Sequence, residues 1–129
     1  MNILQVSDYY PPCFIGGAEI YAHRLSKSLI KEGHSVKVIT NSSSVKCDKD
    51  YIYENVPVHV IKTRYSIKDI PVRFFNPWVF KKSMQIEDKP DFIHLHNFTN
   101  LTSSIIFALK KKFQVPIVWT TEVYIWMQK

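Results

Sequence analysis

The sequence predicts an α/β domain built on a mostly parallel sheet with helices on both faces. Two observations carry this. Short apolar runs alternate along the chain with longer runs whose apolar residues recur at helical spacing. The first of the short runs, Ile3 to Val6, is also apolar on consecutive positions, as a strand covered by helices on both faces should be. At 129 residues and 46% hydrophobic, the chain has material for one ordinary core, and a single domain over residues 1–129 is expected.

Taken in order, Ile3 to Val6 is the first strand and Ala18 to Lys31 the first helix, with Ala18, Ala22, Leu25 and Leu29 on one face. Gly33 ends that helix, because glycine readily takes the left-handed conformation needed just past a helix end. Val36 to Thr40 is the second strand, and the polar stretch Asn41 to Asp50 a loop. Val58 to Thr63 alternates in polarity and reads as a third strand nearer an edge. Pro77 fits the first turn of a helix running to Glu87 and carrying Trp78, Val79, Phe80 and Met84. Phe92 to His96 is a fourth strand, and Leu101 to Phe113 a helix with Ile105, Ala108 and Leu109 inward. Ile117 to Thr121 is a fifth strand. The whole reads as a Rossmann-like three-layer domain.

In such a sheet ligands bind outside the carboxyl ends of the strands. Four stretches fall there: Ser7 to Gly17, the start of the Asn41 loop, His96 to Thr99, and Thr121 to Trp126. The first contains Gly16-Gly17-Ala18-Glu19 at a helix entrance. Adjacent glycines let the backbone approach a ligand without Cβ obstruction, and the unpaired N–H groups of the first turn suit a phosphate. A glycine turn that merely joins strand to helix is the competing reading.

Several classes fall away. The dinucleotide fingerprint is missing, since Ile15-Gly16-Gly17-Ala18 supplies only an adjacent pair and no acidic residue closes the second strand. No Gly-Lys-Ser/Thr phosphate loop occurs. His94 and His96 share a strand face, but no third ligand stands at metal spacing, so packed and hydrogen-bonded histidines are expected and no metal. The net charge of +6 comes without a nucleic-acid-binding signature, and Lys110-Lys111-Lys112 complements a helix dipole, so no nucleic-acid partner is expected. Cys13 and Cys47 form no disulfide framework. No apolar run approaches the roughly 18 residues of a membrane span, and Met1 leads directly into the first strand. A cytoplasmic protein is therefore expected. Arg73 to Lys82 mixes aromatic and basic residues, which suits either a helix packed on the sheet or a peripheral contact with the inner membrane surface.

Tyr10-Pro11-Pro12, the Gly-Gly-Ala-Glu turn, the helix closing at Gly33-His34 and the following Ser35 to Thr40 strand together resemble the amino-terminal half of family 4 glycosyltransferases, which have the GT-B fold. Glu54 to Val58, Pro90 to Asn97 with its His-x-His, and Pro116 to Thr120 extend the resemblance over nearly all of the chain. It implies a retaining enzyme that moves a hexose from a nucleotide-sugar to an acceptor hydroxyl, with no further cofactor. Gly16 and Gly17 would meet the donor phosphate, and His96, Asn97 and Tyr124 the acceptor, a sugar or a lipid-linked sugar. Where the family typically has a cleft histidine, this chain has Glu122, which could act as a base or accept a hydrogen bond. In the family the carboxyl-terminal domain grips the donor. The chain is accordingly expected to be inactive alone, needing that domain or a separate donor-binding subunit. The alternative is a non-catalytic carbohydrate- or partner-binding module.

Overall fold

The computed structural model describes residues 1–7, 9–12, 16–42, 49–62, 77–96 and 100–120. In chain order these form β1 (Asn2–Val6), α1 (Gly17–Lys31), β2 (Ser35–Ser42), β3 (Tyr51–Tyr53), β4 (Val56–Lys62), α2 (Pro77–Ser83), β5 (Phe92–Leu95), α3 (Asn100–Phe113) and β6 (Ile117–Trp119). The sheet runs β3-β4-β2-β1-β5-β6, parallel throughout except for β3, which is antiparallel to β4. The domain is thus the mixed, mostly parallel α/β sheet that the alternation of elements predicts. β1 lies between β2 and β5, and the chain leaves it through α1 toward one sheet edge and returns through α2 to its other side. That reversal is the topological switch point of an open α/β sheet.

The two sheet faces bury different kinds of residue. Under α2 and α3, Leu4, Val6, Ile39, Ile61, Ile93 and Leu95 pack with Val79, Ile105, Leu109 and Phe113 into the larger apolar cluster, and the two helices bury Ser83, Thr102, Ser103 and Ser104 as well. Each such side chain, fully buried, contributes roughly 1.5–3 kcal/mol. Under α1, the apolar cluster is smaller, with Val38, Val56, Val58 and Val60 meeting Ala22 and Tyr10. The buried residues of α1 are Glu19, Ala22, His23 and Ser26, so the helix is rotated from the stripe its leucines suggest, and Ala18, Leu25 and Leu29 are only half-buried. The reason lies beneath the helix. Gln5 on β1 and Tyr10 after it are fully buried polar groups, and α1 turns its own polar residues down to pair with them.

One element escapes the sequence pattern. β3 and β4 form a hairpin joined by Glu54 and Asn55, both at positive φ (47° and 70°). A two-residue turn of this kind is normally signalled by glycine or asparagine followed by glycine, and Glu-Asn carries no such signal. Pro57 is tolerated because β4 pairs with β2 only from Val58 onward. Gly33, at φ 95°, ends α1 as expected. The helix beginning at Pro77 stops at Ser83 rather than Glu87, the segment beyond it turning over Ser83 and leading to β5. β2 runs on through Ser42, into what the polarity alone suggests is loop.

Candidate functional site

The carboxyl end of the sheet is assembled by backbone hydrogen bonds. Ser7 N–H donates to Ile39 O, His96 N–H to Val6 O, and Thr120 N–H to Leu95 O, each at 3.0 Å. These bonds bring the residues just past β1, β5 and β6 side by side at the switch point. Ser7 is fully buried, and its hydroxyl donates to Tyr9 O at 2.7 Å, turning the chain away from β1.

Gly16 caps α1 in an extended conformation (φ −134°, ψ −179°) with no side-chain capping bond, and Gly17 is the first helical residue. A Cβ built on Gly17 meets no atom within 4 Å. The fold therefore leaves room for a side chain that the sequence omits, and the first-turn N–H groups have no partner within the helix. The approach to this turn is pinned at two points. The Tyr10 hydroxyl lies 2.7 Å from His23 Nδ1, with the rings edge to face, and Tyr51 on β3 donates its hydroxyl to Pro11 O at 2.8 Å. Burial raises the Tyr51 hydroxyl to about 12, so it stays a donor throughout the physiological range. His23 also stacks at 4.8 Å on Tyr53, and its pKa is lowered by burial, a shift that nearby Glu54 opposes. The hairpin, the first helix and the proline loop thus hold one another in place.

His96 stands one strand across from this turn. Its ring is 1% exposed and lies edge to face with Tyr21, their centroids 5.9 Å apart. Tyr21 is one helical turn beyond Gly17, about 6 Å along the axis, so the glycine turn and His96 belong to one neighbourhood. Nε2 of His96 bonds Gln5 Oε1, while Nδ1 is buried with no partner among the described residues. Burial, with a smaller contribution from neighbouring His94, pushes the His96 pKa down to about 3. His94 shares the face, with ring centroids 4.2 Å apart. Its Nε2 lies 2.7 Å from Thr120 Oγ1, and burial lowers its pKa too. Among the described residues no group of three or more His, Cys, Asp or Glu could hold a metal ion.

Of the residues singled out in the sequence, Gly16, Gly17 and His96 are brought together at the switch point. Asn97, Glu122 and Tyr124 lie outside the described residues. The sequence reading missed Gln5, which bonds His96, and Ser26, which bonds Gln5 in turn. A signal was available: Gln5 interrupts an otherwise apolar strand at a position that must be buried. Trp78 is half-buried with Lys82 Nζ 5.0 Å above its ring, so it is neither a core residue nor fully exposed, and no described helix is long and apolar enough to cross a membrane.

A parallel sheet in this order, with a glycine-opened helix and polar side chains at its switch point, is a Rossmann-like domain of the sort that forms half of a GT-B enzyme. The model of Glycosyltransferase Family 4 matches residues 15–121, and the chain belongs to that family. It is 30% identical over 127 residues to an uncharacterized glycosyltransferase of Methanocaldococcus jannaschii, covering 92% of this chain and 30% of that protein. It is also 28% identical over 139 residues to an uncharacterized 42.6 kDa protein in the cps region of Klebsiella pneumoniae, covering 96% of this chain and 37% of the relative. The chain thus spans about a third of the length of these curated relatives.

Proposed function

We propose that this chain supplies the acceptor-side half of a retaining glycosyltransferase that moves a hexose from a nucleotide-sugar to an acceptor hydroxyl. The observation that carries this reading is the family match, which spans both Gly16-Gly17 and His96, two features that share one rim of the sheet. The first-turn N–H groups at Gly16 and Gly17 meet the donor phosphate, where the bare Gly17 permits close approach and the helix dipole favours negative charge. His96, Asn97 and Tyr124 bind the acceptor, and Glu122, at the position of the family's cleft histidine, serves as base or charge stabiliser. The acceptor is a sugar or lipid-linked sugar, taken up in the cytoplasm with a peripheral contact at the inner membrane surface. The donor half comes from a further domain or subunit, and this half alone is inactive. Glu122 itself favours a second reading, a non-catalytic carbohydrate- or partner-binding module, because it replaces the family's histidine.

The experiment that separates the two is a screen of nucleotide-sugars against this chain joined to a donor half. Transfer with retention of anomeric configuration, lost in Gly17→Val, is the expected result. A joined enzyme that binds donor but transfers from none of them supports the module. Undiminished turnover in Gly17→Val removes the phosphate role.

A further inference from the structure

Beneath α1 lies a chain of hydrogen bonds whose direction can be worked out from one proton. Ser26 Oγ donates to Ala22 O at 2.9 Å, the usual bond of a helical serine to the carbonyl one turn back. A hydroxyl has a single proton, so toward Gln5 the same oxygen can only accept. Gln5 Nε2 is 3.1 Å from it and is therefore the donor, which fixes the amide: Nε2 faces Ser26 and Oε1 faces His96. An amide oxygen only accepts, so the bond to His96 Nε2 requires the proton on Nε2. In a neutral ring that leaves Nδ1 as a bare lone pair. Nδ1 is the atom that is buried without a partner among the described residues. An unfilled acceptor is also the less costly orphan, buried unpaired N–H groups being the rarer kind. Gln5 and Ser26 are fully buried and His96 nearly so, so water does not compete for these bonds.

We propose that Gln5 and Ser26 are positioning residues that set the tautomer of His96, so that its Nδ1 can only accept a hydrogen bond. Any ligand group that displaces what covers Nδ1 must therefore donate to it, as a hydroxyl does; a phosphate or carboxylate oxygen would face a lone pair with no proton between them. A charged imidazolium would reverse this preference, and burial beside Gln5, His94 and Tyr21 keeps the ring neutral. The identification of that ligand as an acceptor sugar rests on the proposed function. The tautomer does not.

The test is a long-range ¹H–¹⁵N correlation spectrum of the ¹⁵N-histidine-labelled chain at neutral pH, which distinguishes pyrrole-like from pyridine-like ring nitrogens. His96 is expected to show a protonated Nε2 and a bare Nδ1. In Ser26→Ala the Gln5 amide loses the partner that orients it, and the two nitrogens should move toward a common averaged position. Ser26→Thr, which restores a hydroxyl bonded to the same carbonyl, should return them. Gln5→Glu offers two accepting oxygens and a charge, so both ring nitrogens should become pyrrole-like. A parent spectrum with the proton on Nδ1 overturns the proposal even if no variant folds. So does an unchanged His96 signature in a folded Ser26→Ala. Either result leaves the glycosyltransferase reading standing, whereas a failed nucleotide-sugar screen leaves the tautomer untouched.

Discussion

Lowering the pH from 7 to 5 should cost the fold about 2 kcal/mol through His96 alone. The imidazole has an ordinary pKa of 6.5 and one of about 3 in the fold, because its charged form would be desolvated beside His94. The sign follows directly. Between these two values the unfolded chain binds a proton that the folded chain does not, so stability rises with pH there, is complete above the unfolded value, and falls as acid is added. At pH 5 the gap to the unfolded pKa is one and a half units, and at about 1.36 kcal/mol per unit the loss is roughly 2 kcal/mol. His94 and His23, also lowered by burial, act in the same direction. Two carboxylates also sit below their usual range. The bond from Lys27 lowers Glu54, while at Asp50 burial works upward and is outweighed by the bonds from His59 and the Val60 N–H. Their contributions are lost only below the ordinary carboxylate pKa, outside this window. Urea denaturation of the parent and of His96→Gln at pH 7, 6 and 5 isolates His96, because the other groups cancel in the difference. Glutamine can still donate to Gln5 Oε1 but does not titrate. The parent should lose about 2 kcal/mol more than the variant over this range. Equal losses would refute the claim that His96 is held neutral by burial.

In the enzyme completed with a donor half, Gly17→Val should keep the fold, since a Cβ there meets nothing, yet lower turnover steeply; circular dichroism and transfer rate together check this. Glu122→Gln should cost on the order of 10² to 10⁴ in rate if Glu122 is a base, and no more than a few kcal/mol in apparent acceptor binding if it only accepts a hydroxyl bond. Ile105→Ala, at a fully buried site beneath α3, should lower unfolding free energy by about 2–5 kcal/mol in urea, whereas Phe107→Ala on the exposed side of the same helix should change it by no more than about 0.5 kcal/mol. Gly33→Ala forces a side chain into the left-handed region at φ 95° and should cost about 1–2 kcal/mol by the same measurement.

The layer order was legible in the sequence because a strand buried on both faces must be apolar at every position and a helix on one face at every third or fourth. Ile3-Leu4 obeys the first rule, Val36 to Thr40 and Phe92 to Leu95 obey it apart from Lys37, Thr40 and His94, and Ile105, Ala108 and Leu109 obey the second. The glycine turn at Gly16-Gly17 was legible for a like reason, since omission of side chains is itself a local feature. Where local chemistry is weak, the reading failed: Glu54-Asn55 carries no hairpin signature, and only the pairing of Tyr51–Tyr53 with Val56–Val58 holds those residues at positive φ. The rotation of α1 was equally beyond reach. Its leucines mark an apolar stripe, but what the helix turns inward was decided by Gln5 and Tyr10, which meet Ser26 and His23 from β1 and the loop after it. By itself, then, the sequence determined the α/β class, the order of most elements and the glycine-opened helix, each set by neighbours along the chain. Which polar groups meet beneath α1, and hence the protonation and orientation of His96, only the tertiary structure decided, because a buried hydrogen bond has one partner and that partner is chosen by the packing of distant segments.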